Sequence, residues 1–370
     1  MKIIDNKSSF IRKSFQLSYL RVIGSIIALL VNIILARAYE ADAIGNYFIS
    51  LGILIFSSQL ATVGCEKWLV KSLSVNNSKK EVKEKISLAF FFVFLGALVS
   101  YSSYQLILMK VFNVDKGVGF FEFYSLSLFF ITTAIFQANN KASFSLIVQY
   151  VLQPILFIVL VFTFTAPLIT LYTVSFSLCL LYSCFYLFWS GYFRLGKFKV
   201  SKILITFKAT VPYFTSMLIA LLVTHLSLPL CSLWLDELSV AVMGVIIRLI
   251  NVLFFAITGT RMLLLPLFTR AIAEQDFKSI SQLSFLGRIY PTVVIVIGIS
   301  VFTILSETIM RLFGDIYASY HYLLIVSSLL LLPTAFYGWS QSYLIVANHI
   351  NLVTLSSLIT AMLVFILLFY

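Results

Sequence analysis

The sequence predicts an all-α polytopic membrane protein of about eleven transmembrane helices, and three observations carry that prediction. Of its 370 residues, 61% are hydrophobic and only 11% charged, at a mean hydropathy of +1.04. A water-soluble domain of this size cannot cover so much apolar surface with polar groups. The apolar residues come in runs of about twenty, the number that a hydrocarbon core of about 30 Å requires of a helix. The runs also lack the alternation of a membrane barrel strand: residues 88–95 read LAFFFVFL without a polar lumen position.

Hydropathy places the helices near 17–36, 44–64, 86–108, 120–138, 142–163, 168–190, 209–230, 240–260, 289–309, 319–346 and 351–370. The first, with Arg12 and Lys13 ahead of it and Ala36-Arg37-Ala38 at its end, imitates a secretory signal peptide. Ten further runs of the same kind follow, so it is read as a first span.

Charge supplies the orientation. With the N-terminus inside, twenty of the 26 Lys and Arg fall on inner segments: the N-terminal tail, residues 65–85, Lys141, residues 191–208 and residues 261–288. Four fall outside (Arg37, Lys110, Lys116, Arg311), and Arg21 and Arg248 lie within helices. This obeys the positive-inside rule and puts the N-terminus in the cytoplasm. The net charge of +12 thereby reports topology; spread over short loops, it does not make a nucleic-acid surface. Residues 191–208, GYFRLGKFKVSKILITFK, alternate basic and apolar positions. They read either as an amphipathic segment on the inner leaflet or as a plain cytoplasmic loop. They also divide the chain into an N-terminal lobe (1–190, six helices), a basic linker (191–208) and a C-terminal lobe (209–370, five helices).

Catalytic chemistry has no signature here. The four cysteines form no C-x-x-C pair, and His225, His321 and His349 lack metal-ligand spacing. There is no phosphate-cradling P-loop motif and no nucleophile with an orienting base. No catalytic residue, metal or cofactor is expected, and the chain is read as a non-enzyme.

Polar residues inside the helices are more informative, because each is costly in hydrocarbon. Arg21, Ser25 and Asn32 share one face of the first helix, and Gly244, Arg248 and Asn251 one face of the eighth. Ser145, Gln149 and Gln153 line the fifth before Pro154, and Thr334, Gly338 and Gln341 the tenth after Pro333. Each stripe alone is explained equally by helix–helix packing or by a polar cavity; four together favour a cavity. The candidate substrate contacts are Arg248, Asn251, Arg21, Asn32, Gln149 and Gln153. Arg248 lies too deep to snorkel, so it either meets an anionic substrate or is held by backbone carbonyls and water, whereas Arg21 can reach the inner interface. The hairpins at residues 34–48 and 230–245 also resemble each other, each with an acidic outer turn and a glycine in the return helix, a mark of repeat-built transporters.

Several short motifs resemble those of O-antigen and other polysaccharide flippases of the multidrug/oligosaccharidyl-lipid/polysaccharide exporter superfamily. They are ILARAYEADAIGNYF at 34–48, Pro212 opening a helix, Leu265-Pro266-Leu267-Phe268 closing the eighth helix before Glu274-Gln275-Asp276-Phe277, and RLFGDIYASY at 311–320. The resemblance implies two helical lobes around a central cavity that alternates between inward-open and outward-open forms. It implies a bacterial inner-membrane protein that moves undecaprenyl-diphosphate-linked oligosaccharide to the periplasmic leaflet, beside a polysaccharide polymerase and a chain-length regulator. The family usually has at least one more helix, so the second lobe is expected to be incomplete. Two other readings stay open: a multidrug exporter of the same superfamily, which would need membrane-buried carboxylates, and a membrane scaffold for polysaccharide assembly that transports nothing.

Overall fold

A computed structural model describes residues 2–73, 79–112, 118–139, 141–191, 196, 199, 201–347 and scattered positions from 349 to 362. Among the described residues there is no strand, and ten helices are long and apolar enough to cross a membrane. They are α1 (Lys2–Ala38), α2 (Ala41–Leu60), α4 (Lys79–Lys110), α5 (Phe120–Ala138), the interrupted pair α6 (Ala142–Ile147) and α7 (Gln153–Thr163), α8 (Leu168–Trp189), α9 (Ser201–His225), α11 (Glu237–Ala273), α12 (Phe277–Arg311), and a segment in three pieces, α14 (His321–Leu329), α15 (Leu331–Tyr337) and α16 (Trp339–Val346). Short α3 (Cys65–Leu73), α10 (Ser227–Cys231) and α13 (Asp315–Ala318) connect them. The eleventh expected span, 351–370, falls largely outside the described residues. The protein is a multi-pass membrane protein.

The chain divides into two compact units: Met1–Ile44 with Ala241–Thr360, and Gly45–Val240 with Ala361–Tyr370. This departs from the lobes expected at 1–190 and 209–370, because α1 groups with the helices of the second half and α9 with those of the first. Local contacts give the reason. Arg37, at the end of α1, donates from Nε to the Leu312 carbonyl at 2.7 Å and from Nη2 to that of Arg311 at 3.4 Å, satisfying carbonyls that α12 leaves open at its C-terminus. α9 packs on α3, its Phe214 against the turn at Gly64, whose φ of 73° favours glycine.

The unit from Gly45 to Val240 is built around α5. That helix is apolar on nearly every side and buries Phe123, Leu126, Phe129, Phe130, Ile131, Ile135 and Phe136, as a helix enclosed by others must. α8 lies along it, with Phe129 edge-on to Phe176 (centroids 5.1 Å apart) and Ser125 bonded to Ser177 at 2.5 Å. In the other unit, Ile257 of α11, Ile295 and Ile299 of α12 and Leu331 and Ala335 of α15 form the core. Ile289, Val293, Val296, Ile297, Val301, Ile304 and Leu305 of α12 stay exposed. In water that would be a liability; on a spanning helix it is the lipid face.

Four expectations are corrected. Residues 201–208, read as linker, continue α9, so Pro212 lies inside a helix and does not open one. Leu265-Pro266-Leu267-Phe268 likewise sits within α11, which runs on to Ala273. The inner segment 261–288 shrinks to the turn at Glu274-Gln275-Asp276, where Asp276 caps α12 by accepting from the Ser279 amide at 3.0 Å. The tenth span is broken after Leu329 and at Gly338. Hydropathy misses the first three for one reason: helical hydrogen bonding does not stop where the apolar run stops.

The two resembling hairpins meet. Asn46 donates to the Glu237 carboxylate at 3.0 Å, and a Cβ on Gly45 would collide with the Glu237 carbonyl. By contrast, nothing lies within 4 Å of a Cβ built at Gly259. We therefore expect Gly45→Ala to destabilise the protein by about 1–3 kcal/mol through overpacking, and Gly259→Ala to stabilise it by up to about 1 kcal/mol through helix propensity. Thermal unfolding in detergent reads both; equal effects would refute the close approach.

Candidate functional site

α1 and α11 belong to one unit and carry the two arginines expected inside the membrane. Arg248 lies eleven residues from Glu237, the start of α11, or about 16 Å at 1.5 Å per residue, close to the middle of the hydrocarbon. Arg21 lies seventeen residues from Ala38, about 26 Å along α1 and hence close to the opposite boundary of the hydrocarbon.

Three of the polar side chains on these faces, Ser25, Asn32 and Arg248, are tied to their own helices. Arg248 is half-buried and donates from Nη1 to the Gly244 carbonyl one turn back, at 2.8 Å, which fixes its direction along α11. Asn251, the next polar residue on that face, is exposed. An exposed amide at mid-membrane is disfavoured against lipid. On α1, Asn32 donates to the Ala28 carbonyl at 2.5 Å and Ser25 to that of Arg21 at 3.1 Å. Such back-bonding meets the donors' needs where water is scarce and leaves the Asn32 carbonyl as an acceptor.

The expected stripe on the fifth span lies in the other unit and behaves differently. Pro154 has no N–H to give, and its ring would clash with the carbonyl four residues back. The chain answers with a π-helical turn at Val148–Leu152, where the Gln153 amide bonds to the Val148 carbonyl. Gln153, only 4% exposed, gives its amide hydrogen to Ser175 of α8 at 2.9 Å, and Ser175 in turn donates to the Tyr172 carbonyl at 2.6 Å. Ser145 is buried as well, and Gln149 half-buried. The structure thus brings Arg21, Asn32, Arg248 and Asn251 into one unit and spends Gln153 on packing α7 against α8. A groove of about 810 Å³ in the Gly45–Val240 unit, lined by residues such as Phe56, Leu60, Phe92, Val99, Leu204, Phe207 and Phe214, offers only the hydroxyls of Ser57, Ser100 and Ser103 as polar side-chain groups. It suits hydrocarbon.

Several solved structures share this architecture. An inward-facing multidrug resistance MATE family transporter of the MOP superfamily superposes with a TM-score of 0.67 at 15% identity, over 93% of this chain and 83% of that one. An outward-facing MATE transporter of the same superfamily gives 0.63 at 15%, over 94% and 84%. A MOP superfamily transporter from Pyrococcus furiosus, described by the reversed polarity of its binding pocket, gives 0.56 at 13%, over 90% and 84%. The chain has the MATE transporter fold. No family model matches the sequence, and no curated protein sequence matches it either.

Within this MATE fold, sequence reasoning passed over two arginines and a carboxylate. Arg261 and Arg288 were assigned to a loop and lie instead on α11 and α12; the signal was the helical period persisting beyond the apolar run. The carboxylate is Glu66 of α3, beside a cleft of about 400 Å³ shared with Lys67, Lys71, Thr133 and Gln137. Its Oε1 is sealed without a partner. Burial pushes its pKa up to about 7, against the opposing pull of the Thr62 hydroxyl and the Lys67 charge.

Two outcomes are expected. Gln153→Leu should lower stability by about 1–3 kcal/mol, since it strips a buried partner from Ser175, and leave transport per folded molecule unchanged; reduced transport at full stability would return Gln153 to the substrate path. Glu66 takes up its proton more readily folded than unfolded, so its contribution to stability is fully present below the unfolded carboxylate range and lost as pH rises through about 7. Thermal midpoints should therefore fall between pH 5 and pH 8, and Glu66→Gln should flatten that dependence.

Proposed function

We propose that the protein is a flippase carrying undecaprenyl-diphosphate-linked oligosaccharide from the cytoplasmic to the periplasmic leaflet of a bacterial inner membrane by alternating access, with its N-terminus in the cytoplasm. One observation carries the reading. The charged side chain that the described spans hold at mid-membrane is Arg248, beside the exposed amide of Asn251. Every carboxylate of those spans lies within about two turns of a helix end: Asp42, Glu81, Glu84, Glu122, Glu237 and Glu307.

Positive charge deep in low dielectric favours an anion, and the planar fork of a guanidinium matches phosphate oxygens. Asn251 and Asn32 supply amide groups suited to sugar hydroxyls. A polysaccharide polymerase and a chain-length regulator are the partners that the resemblance suggests for this reading.

The second reading, drug export, is favoured by the multidrug transporters among the similar structures. Attraction of cationic drugs calls for carboxylates at mid-membrane, where the described spans place an arginine.

Arg248→Ala should cut export of lipid-linked sugar at least tenfold at normal membrane abundance, the loss of one or two charge-assisted hydrogen bonds. Arg248→Lys, which keeps the charge and loses the fork, should recover part of it. The assay is transport of labelled undecaprenyl-diphosphate-linked sugar in vesicles. Full transport by the alanine variant would overturn the assignment, and drug hypersensitivity of a deletion strain with normal surface polysaccharide would favour the exporter.

A further inference from the structure

The two arginines assigned to a loop by hydropathy converge on one short stretch of chain. Arg261 donates from Nε to the Gly338 carbonyl at 2.9 Å, at the break between α15 and α16. A Cβ at residue 338 would collide with the Thr334 carbonyl and the Ile257 side chain and would stand 3.3 Å from the Arg261 Nη2. Arg288 lays its guanidinium over the Phe336 ring, 4.7 Å from the centroid, with the Trp339 ring at 6.0 Å.

This cluster is short of acceptors. The Nε of Arg288 and the indole Nε1 of Trp339 are both sealed from solvent without a hydrogen-bond partner. Neither Arg261 nor Arg288 forms an ion pair with a described carboxylate. Buried donors left in that state are rare and costly, and they mark a place where an acceptor belongs.

Depth names the acceptor. Arg261 is 24 residues from Glu237 on α11 and Arg288 is 23 residues from Arg311 on α12. Both therefore lie about 35 Å from the outer ends of their helices, past the hydrocarbon and at the level of the inner headgroups. Anionic oxygen at that level belongs to lipid phosphate. Stacking on Phe336 holds the plane of Arg288 and leaves its in-plane edge for a two-pronged contact with phosphate oxygens.

We propose that Arg261, Arg288 and Trp339 form a phosphate-binding site for a lipid of the inner leaflet, taking the phosphate or diphosphate headgroup. It goes beyond the role of Arg248, which lies about 20 Å further out along α11, and it stands whether or not the lipid it holds is transported.

The test is titration of the purified full-length protein in detergent with undecaprenyl diphosphate, phosphatidylglycerol and undecaprenol, read by tryptophan fluorescence. A phosphate-bearing lipid should bind and undecaprenol should not, and Trp339→Phe should abolish the signal. Arg261→Gln and Arg288→Gln should each weaken binding about tenfold or more, and Arg288→Lys should weaken it less. Preference for the diphosphate identifies the transported lipid as the occupant; equal binding of phosphatidylglycerol identifies a resident phospholipid, and either upholds the site. Binding unchanged in the arginine variants, or undecaprenol binding as well as the phosphate lipids, would overturn it. If a glutamine variant loses its thermal transition, Arg288→Lys and Trp339→Phe carry the test. Export is measured separately, so loss of this site with export intact leaves the proposed function standing.

Discussion

Hydrocarbon offers no hydrogen bonds, and nearly everything in this protein follows from that deficit. Backbone groups must find partners within their own segments, which leaves helices as the spanning form. Polar side chains on those helices obey the same rule. Ser25, Asn32 and Arg248 each reach back to a carbonyl one turn earlier, and Gln153 reaches across to Ser175. Where a helix cannot meet the requirement it changes form, as in the π turn ahead of Pro154 and the breaks around Leu330 and Gly338. Charges gather at helix ends, where Lys202 pairs with Glu84 and Arg311 with Glu307.

The motifs that suggest a transporter family turn out to act on architecture. Arg37, from the first hairpin, caps the end of α12 at Leu312, immediately before Phe313-Gly314. The glycine of that second motif has a φ of 139°, a backbone shape that residues with a Cβ rarely adopt. Gly45 and Asn46, from the same hairpin, engage Glu237 of the other one. Such residues are constrained by close approach and capping, so they identify a fold and are silent about the cargo.

The helical class and ten of the eleven expected spans were legible because a bilayer imposes length and polarity on sequence directly. Three things were not. The ends of α9, α11 and α12 run beyond their apolar stretches, because propensity and capping by Asp276 carry a helix on into water. For that reason Arg261 and Arg288 looked like loop residues. The role of Gln153 was hidden because its partner, Ser175, sits 22 residues away on another helix, and no local pattern encodes the pairing. The stripe through Ser145, Gln149 and Gln153 assumed a period of 3.6, which the π turn at Val148–Leu152 interrupts. The arginine and asparagine positions on α1 and α11 were readable because unbroken helices preserve their spacing.

The length of α11 has a mechanical consequence. At 37 residues it is a rod of about 55 Å, nearly twice the hydrocarbon thickness, and it is joined to the 35-residue α12 by a turn of three residues. Leu253 and Leu264 of α11 fill the gaps over Gly298 and Gly287 of α12, which couples the two as one stiff strut. A tilt of ten degrees about its Glu237 end sweeps the far tip, near Gln275, through about 10 Å, simple trigonometry on that rod. The protein thus carries a lever whose tip at Gln275 magnifies any small rotation made within the membrane.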